Sequence, residues 1–268
     1  MNYARTVRLV GEGRLDEVRE FLVEHRSDGR LLRWIRFHQL GPLLYSEIPE
    51  MRDVLLLDWA TSSSRWRIWD EISRILADAP VPVVAFKGVA VGRLYPSRFQ
   101  RMLSDADLWV RKEDLEPLSD HLTAMGFKYV MDTRGQRIFR FRGLPVEVHT
   151  SFTRFPYPQI LNVNDVLGHI HPLNGSLHVP DPDLSLSILY LHAYKSMYVR
   201  TAFKAVWWHD ELLLRRSGAK VVGGARMRRI ERWFRTIDER HLRDSPLPFT
   251  LGNRLRYLLH GLRLHLPL

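Results

Sequence analysis

Apolar residues recur at helical spacing between residues 13 and 40, with Leu15, Val18 and Leu22 in one register and Leu32, Ile35 and Leu40 in a second. The Ser27-Asp28-Gly29 break between them predicts two short helices, and Gly41-Pro42 predicts the end of the second. Over residues 52–79, Leu55, Trp59, Trp66, Trp69, Ile72 and Leu76 follow at spacings of three, four and seven. That pattern predicts one long amphipathic helix stopped by Pro80, with its tryptophans in the core.

The period then changes. Residues 81–86 form a short β-branched apolar run ended by Lys87-Gly88, the pattern of a buried strand turning sharply into a helix at 89–94. Residues 106–110 read as a second strand, and 113–125 as a helix with Leu115, Leu118, Leu122 and Met125 inward and Gly126 as its stop. Strands are expected at 127–131, 137–142 and 146–152, the last two joined by a turn at Gly143-Leu144-Pro145. Residues 156–180, rich in Asn, Gly, Pro and His, read as a loop. Asp181-Pro182-Asp183 reads as the N-cap of a helix carrying Leu184, Ile188 and Leu191, and further helices are expected through Trp207 to Leu213, at 226–240 and at 254–264. The expected organisation is a helical N-terminal region (1–80), an α+β core (81–155), and a loop followed by a basic helical region (156–268).

Composition narrows the chemistry. In 268 residues there is no cysteine, which removes disulfides, thiolate metal sites and Cys nucleophiles together, so any metal must sit on oxygen or imidazole. The N-terminal residues lack an apolar signal core and no run approaches the length of a membrane span, so the chain is expected to be cytoplasmic with no membrane span. A net charge of +10 favours a polyanionic partner. That charge is polarised: residues 215–268 contribute +9 of it.

Walker, Rossmann, nucleophile-elbow and His-Glu-x-x-His patterns are all absent. What remains is Asp105-Ala106-Asp107, entering the second strand. Strand side chains alternate faces, so carboxylates at i and i+2 converge on one point and suit a hard divalent cation beside phosphate oxygens. Such pairs arise about three times by chance at this acid content, so context decides. The strand before the pair ends in Lys87-Gly88, where glycine lets backbone approach a phosphate, the next helix offers N–H groups and Lys87 adds a point charge. Glu147, on a later strand beside His149, is a third acid that an adjacent strand could bring to the same cation.

Phe86-Lys87-Gly88-Val89-Ala90, Leu94-Tyr95-Pro96 and Arg101-Met102-Leu103-Ser104-Asp105-Ala106-Asp107-Leu108-Trp109-Val110 together resemble the bacterial nucleotidyltransferase-like proteins of the polymerase-β superfamily. Weaker likeness runs through His38 to Tyr45, Val146-Glu147-Val148-His149, His192 to Lys195 and Trp207 to Asp210, covering roughly residues 30–215. The resemblance implies an α+β fold with a mixed-sheet polymerase-β-type core flanked by helical regions. It implies a nucleoside triphosphate donor, Mg²⁺ or Mn²⁺ as cofactor, and transfer of a nucleoside monophosphate to an acceptor by two-metal in-line displacement. Asp105, Asp107 and Glu147 match its metal-binding and catalytic acids, and Lys87, Gly88, Arg101 and Ser104 fall on the nucleotide side. Lys87-Gly88 departs from the Gly-Ser of most of the superfamily, and Glu147 from its more usual Asp.

His192 and Lys195, at i and i+3 on one helix face, read either as nucleotide contacts or as packing. Asp210 reads either as a nucleotide-side group or as the partner of an arginine, and Arg101 as a phosphate contact or as cover for the acids. His169, His171 and His178 read as surface histidines. The basic tail reads either as a solvated face or as a groove for RNA or another acidic acceptor. A catalytically silent nucleic-acid-binding protein is the alternative function, and attachment of residues 254–264 to a membrane surface is a third.

Overall fold

In the computed structural model the described residues are 1–133, 135–153, 157, 159–197, 202–245 and 250–264. The N-terminal third is helical: α1 (Tyr3–Gly11), α2 (Arg19–Glu24), α3 (Gly29–Phe37), α4 (Gly41–Glu47) and the 26-residue α5 (Arg52–Ala77). The helix before Gly41-Pro42 ends earlier, at Phe37, with Gln39 turning at φ 61°, and Gly41-Pro42 opens α4 instead of closing that helix. Proline fits there because the first-turn N–H groups lack helical partners in any case. On α5, Trp66 and Trp69 are buried as expected, while Trp59 is half-buried and stacks on Tyr45.

The strands are β1 (Val83–Phe86), β2 (Ala106–Trp109), β3 (Lys128–Thr133), β4 (Gln136–Phe141), β5 (Leu144–His149), β6 (Ile170–Asn174) and β7 (Leu177–Pro180). Between them lie α6 (Gly88–Val91), α7 (Leu115–Ala124) and α8 (Val163–Leu167). After them come α9 (Pro182–Ser196), α10 (Val206–Arg216), α11 (Ala225–Phe234) and α12 (Leu251–Leu262). All seven strands join one mixed sheet in the order β3-β4-β5-β2-β1-β7-β6, with β2/β5 and β1/β7 parallel and the other neighbours antiparallel. The α+β, mixed-sheet organisation read from the sequence is the one observed.

The stretch 156–180 corrects the sequence reading, leaving aside Pro156 and Pro158, which lie outside the described residues. It holds α8 and the β6–β7 hairpin, which extends the sheet beyond β1. The turn Asn174-Gly175-Ser176 makes the hairpin. Gly175 has φ 51°, and a Cβ there would come within 2.2 Å of the Ala77 carbonyl oxygen, so the turn tucks against the end of α5. Asp181 does cap α9, accepting from the Leu184 N–H.

Each face of the central strands has its own core. Val83, Ala85, Ala106, Leu108, Val146 and Val148 pack with Trp66, Trp69, Ile72 and Leu76 of α5 and with Leu118 and Leu122 of α7. Val84, Phe86 and Trp109, on the opposite face, pack with Phe152 and with residues of α9 and α10. The polar residues of that second face include the carboxylates of Asp107 and Glu147 and the imidazole of His149. No helix among the described residues is long and apolar enough to cross a membrane.

Candidate active site

Register assembles the acids. In the antiparallel β1/β2 pair Phe86 lies opposite Asp107, and in the parallel β2/β5 pair Asp107 lies opposite Glu147 and Trp109 opposite His149. Residues opposite one another share a sheet face, so Asp107, Glu147 and His149 are neighbours by construction. Their ligand atoms lie within 4.8 Å of one another, the group among the described residues that could hold a metal ion. Sequence reasoning named Glu147 and passed over His149 as a ligand. Alternation was the signal that finds it, because positions 147 and 149 point the same way.

Asp107 is 3% exposed. Lys87 Nζ donates to its Oδ1 at 2.5 Å, and His149 Nε2 lies 2.9 Å from the same oxygen and 3.5 Å from Glu147 Oε2. Burial pushes the Asp107 carboxyl upward, but the Lys87 ammonium and the His149 hydrogen bond outweigh it and hold the group well below the usual carboxylate range. Asp105, just before β2, accepts from Ser104 Oγ at 3.1 Å. Burial first, then repulsion from Asp107, push it up to about 6. Lys87 reaches Asp107 from a backbone with φ 54° and ψ −125°, a region that side-chain-bearing residues rarely occupy and that costs about 1–3 kcal/mol. The strain falls on Lys87 and not on Gly88, and α6 after it is only four residues long.

Asp105, Asp107, Lys87, Gly88, Ser104, Arg101, His192 and Asp210 line one cleft of about 160 Å³. Within it Arg101 and Asp210 are committed to each other. Arg101 Nε and Nη2 each donate to Asp210 at 2.9 Å, and Tyr95 Oη donates to the same carboxylate at 2.7 Å. The backbone of the segment leading to Asp105 is held from the other side by α5. Ser62 Oγ and Trp66 Nε1 donate to the Arg101 carbonyl at 3.1 and 2.8 Å, and Arg65 Nη1 donates to that of Leu103 at 3.1 Å. Positions 62, 65 and 66 share one helix face.

His192 sits edge-on to Trp207 at 5.1 Å, and burial, then the nearby Lys87 charge, push it well below the usual imidazole range, so it is a neutral wall. Lys195 lies outside the cleft. Its Nζ donates to the Phe152 carbonyl at 2.6 Å, and it lines a smaller cavity of about 20 Å³ with Lys87, His149 and His192. Gln39, Lys204 and Trp207 also line the main cleft; Gln39 and Trp207 lie in segments that carry the family likeness but were not themselves singled out, and Lys204 lies in a segment in which sequence reasoning found no chemistry. On α11, Met227, Ile230 and Phe234 are buried, while Arg226, Arg228, Arg232 and Arg235 are exposed.

No curated protein matches the chain. Among solved structures, the antibiotic-resistance factor ANT(2'')-Ia is similar at 13% identity and a TM-score of 0.44, over 65% of this chain and 93% of that one. Residues 24–233 match the family described as uncharacterised nucleotidyltransferase. That match takes in the strand bend, the acid pair, Glu147, His192 and Asp210, and the chain therefore belongs to this nucleotidyltransferase family, a family of transferases.

Proposed function

We propose that the protein transfers a nucleoside monophosphate from a nucleoside triphosphate to an acceptor nucleophile, using divalent cations held by Asp105, Asp107 and Glu147. The observation that carries this reading is the β2/β5 register, which sets Asp107 directly beside Glu147 on one sheet face. The residues suit a hard cation. The Asp107 and Glu147 carboxylates and the His149 imidazole converge, Asp105 stands just before the same strand, and the Lys87 ammonium on Asp107 Oδ1 supports the reading that positive charge is favoured there.

Bound Mg²⁺ or Mn²⁺ would supply charge neutralisation at the phosphate oxygens and activation of the acceptor. The chain's own groups do the rest. His149 orients Asp107 through Nε2, as partners of metal-binding carboxylates commonly do. Glu147, partly exposed, takes the proton of the acceptor as its oxygen bonds to the α-phosphorus and the bond to pyrophosphate breaks. Lys87 offsets charge on the departing pyrophosphate. Arg101 and Asp210 act at one remove, as positioning residues that fix the segment carrying Ser104 and Asp105.

The acceptor is a small molecule, a peptide or protein, or RNA. The test is a panel of four radiolabelled nucleoside triphosphates with Mg²⁺ or Mn²⁺, offered total RNA, cell-extract metabolites and the protein itself. Asp105→Asn and Asp107→Asn are each expected to abolish transfer while the fold survives. Full activity in either variant, or label transfer undiminished by EDTA, overturns the reading.

A further inference from the structure

Six formally charged side chains line the cleft: Asp105, Asp107, Asp210, Lys87, Arg101 and Lys204. Four cancel in the Lys87–Asp107 and Arg101–Asp210 pairs. Asp105 and Lys204 remain, each without an ion-pair partner among the described residues. Lys204 Nζ donates to the Phe37 carbonyl at 2.7 Å and lies over the Phe37 ring, 3.2 Å from its centroid. An ammonium has three donors, so with one on the carbonyl and one facing the ring a donor remains for a ligand. Burial with no compensating acid lowers its pKa to about 8.

The lysine is also held in place. Its neighbour Ala205 donates its N–H to His38 Nδ1 at 3.0 Å, so residues 204–205 are tied to the end of α3 at two points. Gln39 follows in a left-handed backbone (φ 61°) and lines the same cleft, its amide only loosely engaged by Arg101 and Ser104 at 3.4 and 3.5 Å. An uncompensated acid and an uncompensated lysine in one small cleft are complementary to a ligand that carries both signs. A polyanion bound to its own cation meets that description, whereas a free anion would be repelled by Asp105.

Resting on the nucleotidyl-transfer reading above, we propose that Lys204 is the anion anchor of the cleft, binding the terminal phosphoryl groups of the metal-bound triphosphate. Lys87 is balanced by Asp107, whereas Lys204 has no acid partner among the described residues and its charge is available to a ligand. Calorimetric titration of the full chain with inorganic tripolyphosphate in Mg²⁺ tests it. Lys204→Met, which keeps the packing over Phe37, is expected to raise Kd roughly 10- to 100-fold, the size of a lost charge-assisted contact. Lys204→Arg is expected to stay within a few-fold of wild type. Lys204→Met binding like wild type, or Lys204→Arg binding as weakly as Lys204→Met, overturns the inference and leaves the transferase reading standing. A wild-type chain with no affinity for tripolyphosphate or for any of the four Mg²⁺-bound nucleoside triphosphates overturns both.

Discussion

The Arg101–Asp210 and Lys87–Asp107 pairs line the same cleft, yet they differ in every respect that sets how a buried charge behaves. Arg101 spends Nε and Nη2 on Asp210 and Nη1 on the Met102 carbonyl, and Tyr95 completes the carboxylate. Both partners are nearly sealed from water. Lys87 places a point charge on one oxygen, shares it with His149, keeps 22% of its side chain exposed and stands beside the unpaired Asp105. A saturated, forked pair is scaffolding, whereas a single-point contact at the edge of an acid cluster is a charge balance that, on the proposed function, a bound cation would take over.

The largest effect should come from breaking the scaffold. Asp210→Ala or Arg101→Met leaves an uncompensated buried charge and is expected to cost about 3–5 kcal/mol in urea unfolding. The double variant Arg101→Met/Asp210→Leu should recover most of that loss, because removing both charges removes the desolvation penalty with them. If the single variants cost no more than exposed pairs do, the distinction between the two sites disappears.

Lys87→Met is expected to cost less, about 1.5–3 kcal/mol, since His149 still serves Asp107. The sharper difference is rescue. Mn²⁺ should raise the melting temperature of Lys87→Met by more than it raises that of wild type, because ligand binding stabilises in proportion to affinity and the competing ammonium is gone. No such gain is expected in Arg101→Met.

The scaffold should also carry an acid sensitivity. Burial pushes His38, which accepts the Ala205 N–H, down to about 3, and His260 down to about 4. Below the ordinary imidazole value of about 6.5 the unfolded chain takes up protons that the folded chain refuses, so stability falls as pH falls. His38 alone should cost about 1.4 kcal/mol per pH unit from 6.5 down toward its folded value. Unfolding curves at pH 7.5, 6.5 and 5.5 check this, and His38→Gln should flatten the slope.

These contrasts also mark what the sequence could disclose. The acids were legible because strand alternation and an ordered motif act over a few residues: Asp105 and Asp107 share a face, and Glu147 needs only a neighbouring strand. The sharp bend at Lys87-Gly88 was legible as well, though not which residue would carry the positive φ. That Asp210 could pair with an arginine was legible, but not that the arginine is Arg101, nor that Lys204 meets Phe37, since each pair joins segments more than a hundred residues apart and no local pattern encodes the meeting. The β6–β7 hairpin escaped for another reason. Its Asn174-Gly175 turn was present, but the strands beside it are four and five residues long and interrupted by Pro172.

The smallest effect on the fold is the most discriminating for the ligand. Gly88 opens α6, where alanine is a better helix former by about 1 kcal/mol, and a Cβ there would meet only Leu103 Cδ1 at an ordinary 3.7 Å. Nothing in the protein packing around it requires glycine, unlike Gly175 against Ala77. Gly88→Ala should therefore leave the melting temperature unchanged or slightly raised. Gly88 nevertheless lines the cleft beside Lys87, Asp105 and Asp107, and an added methyl group takes up space that a phosphate would otherwise fill. A several-fold rise in the Kd for a Mg²⁺-bound nucleoside triphosphate at undiminished stability would show that the glycine serves the ligand and not the fold. Unchanged affinity would move the phosphates away from the strand bend and toward the Lys204 wall of the cleft.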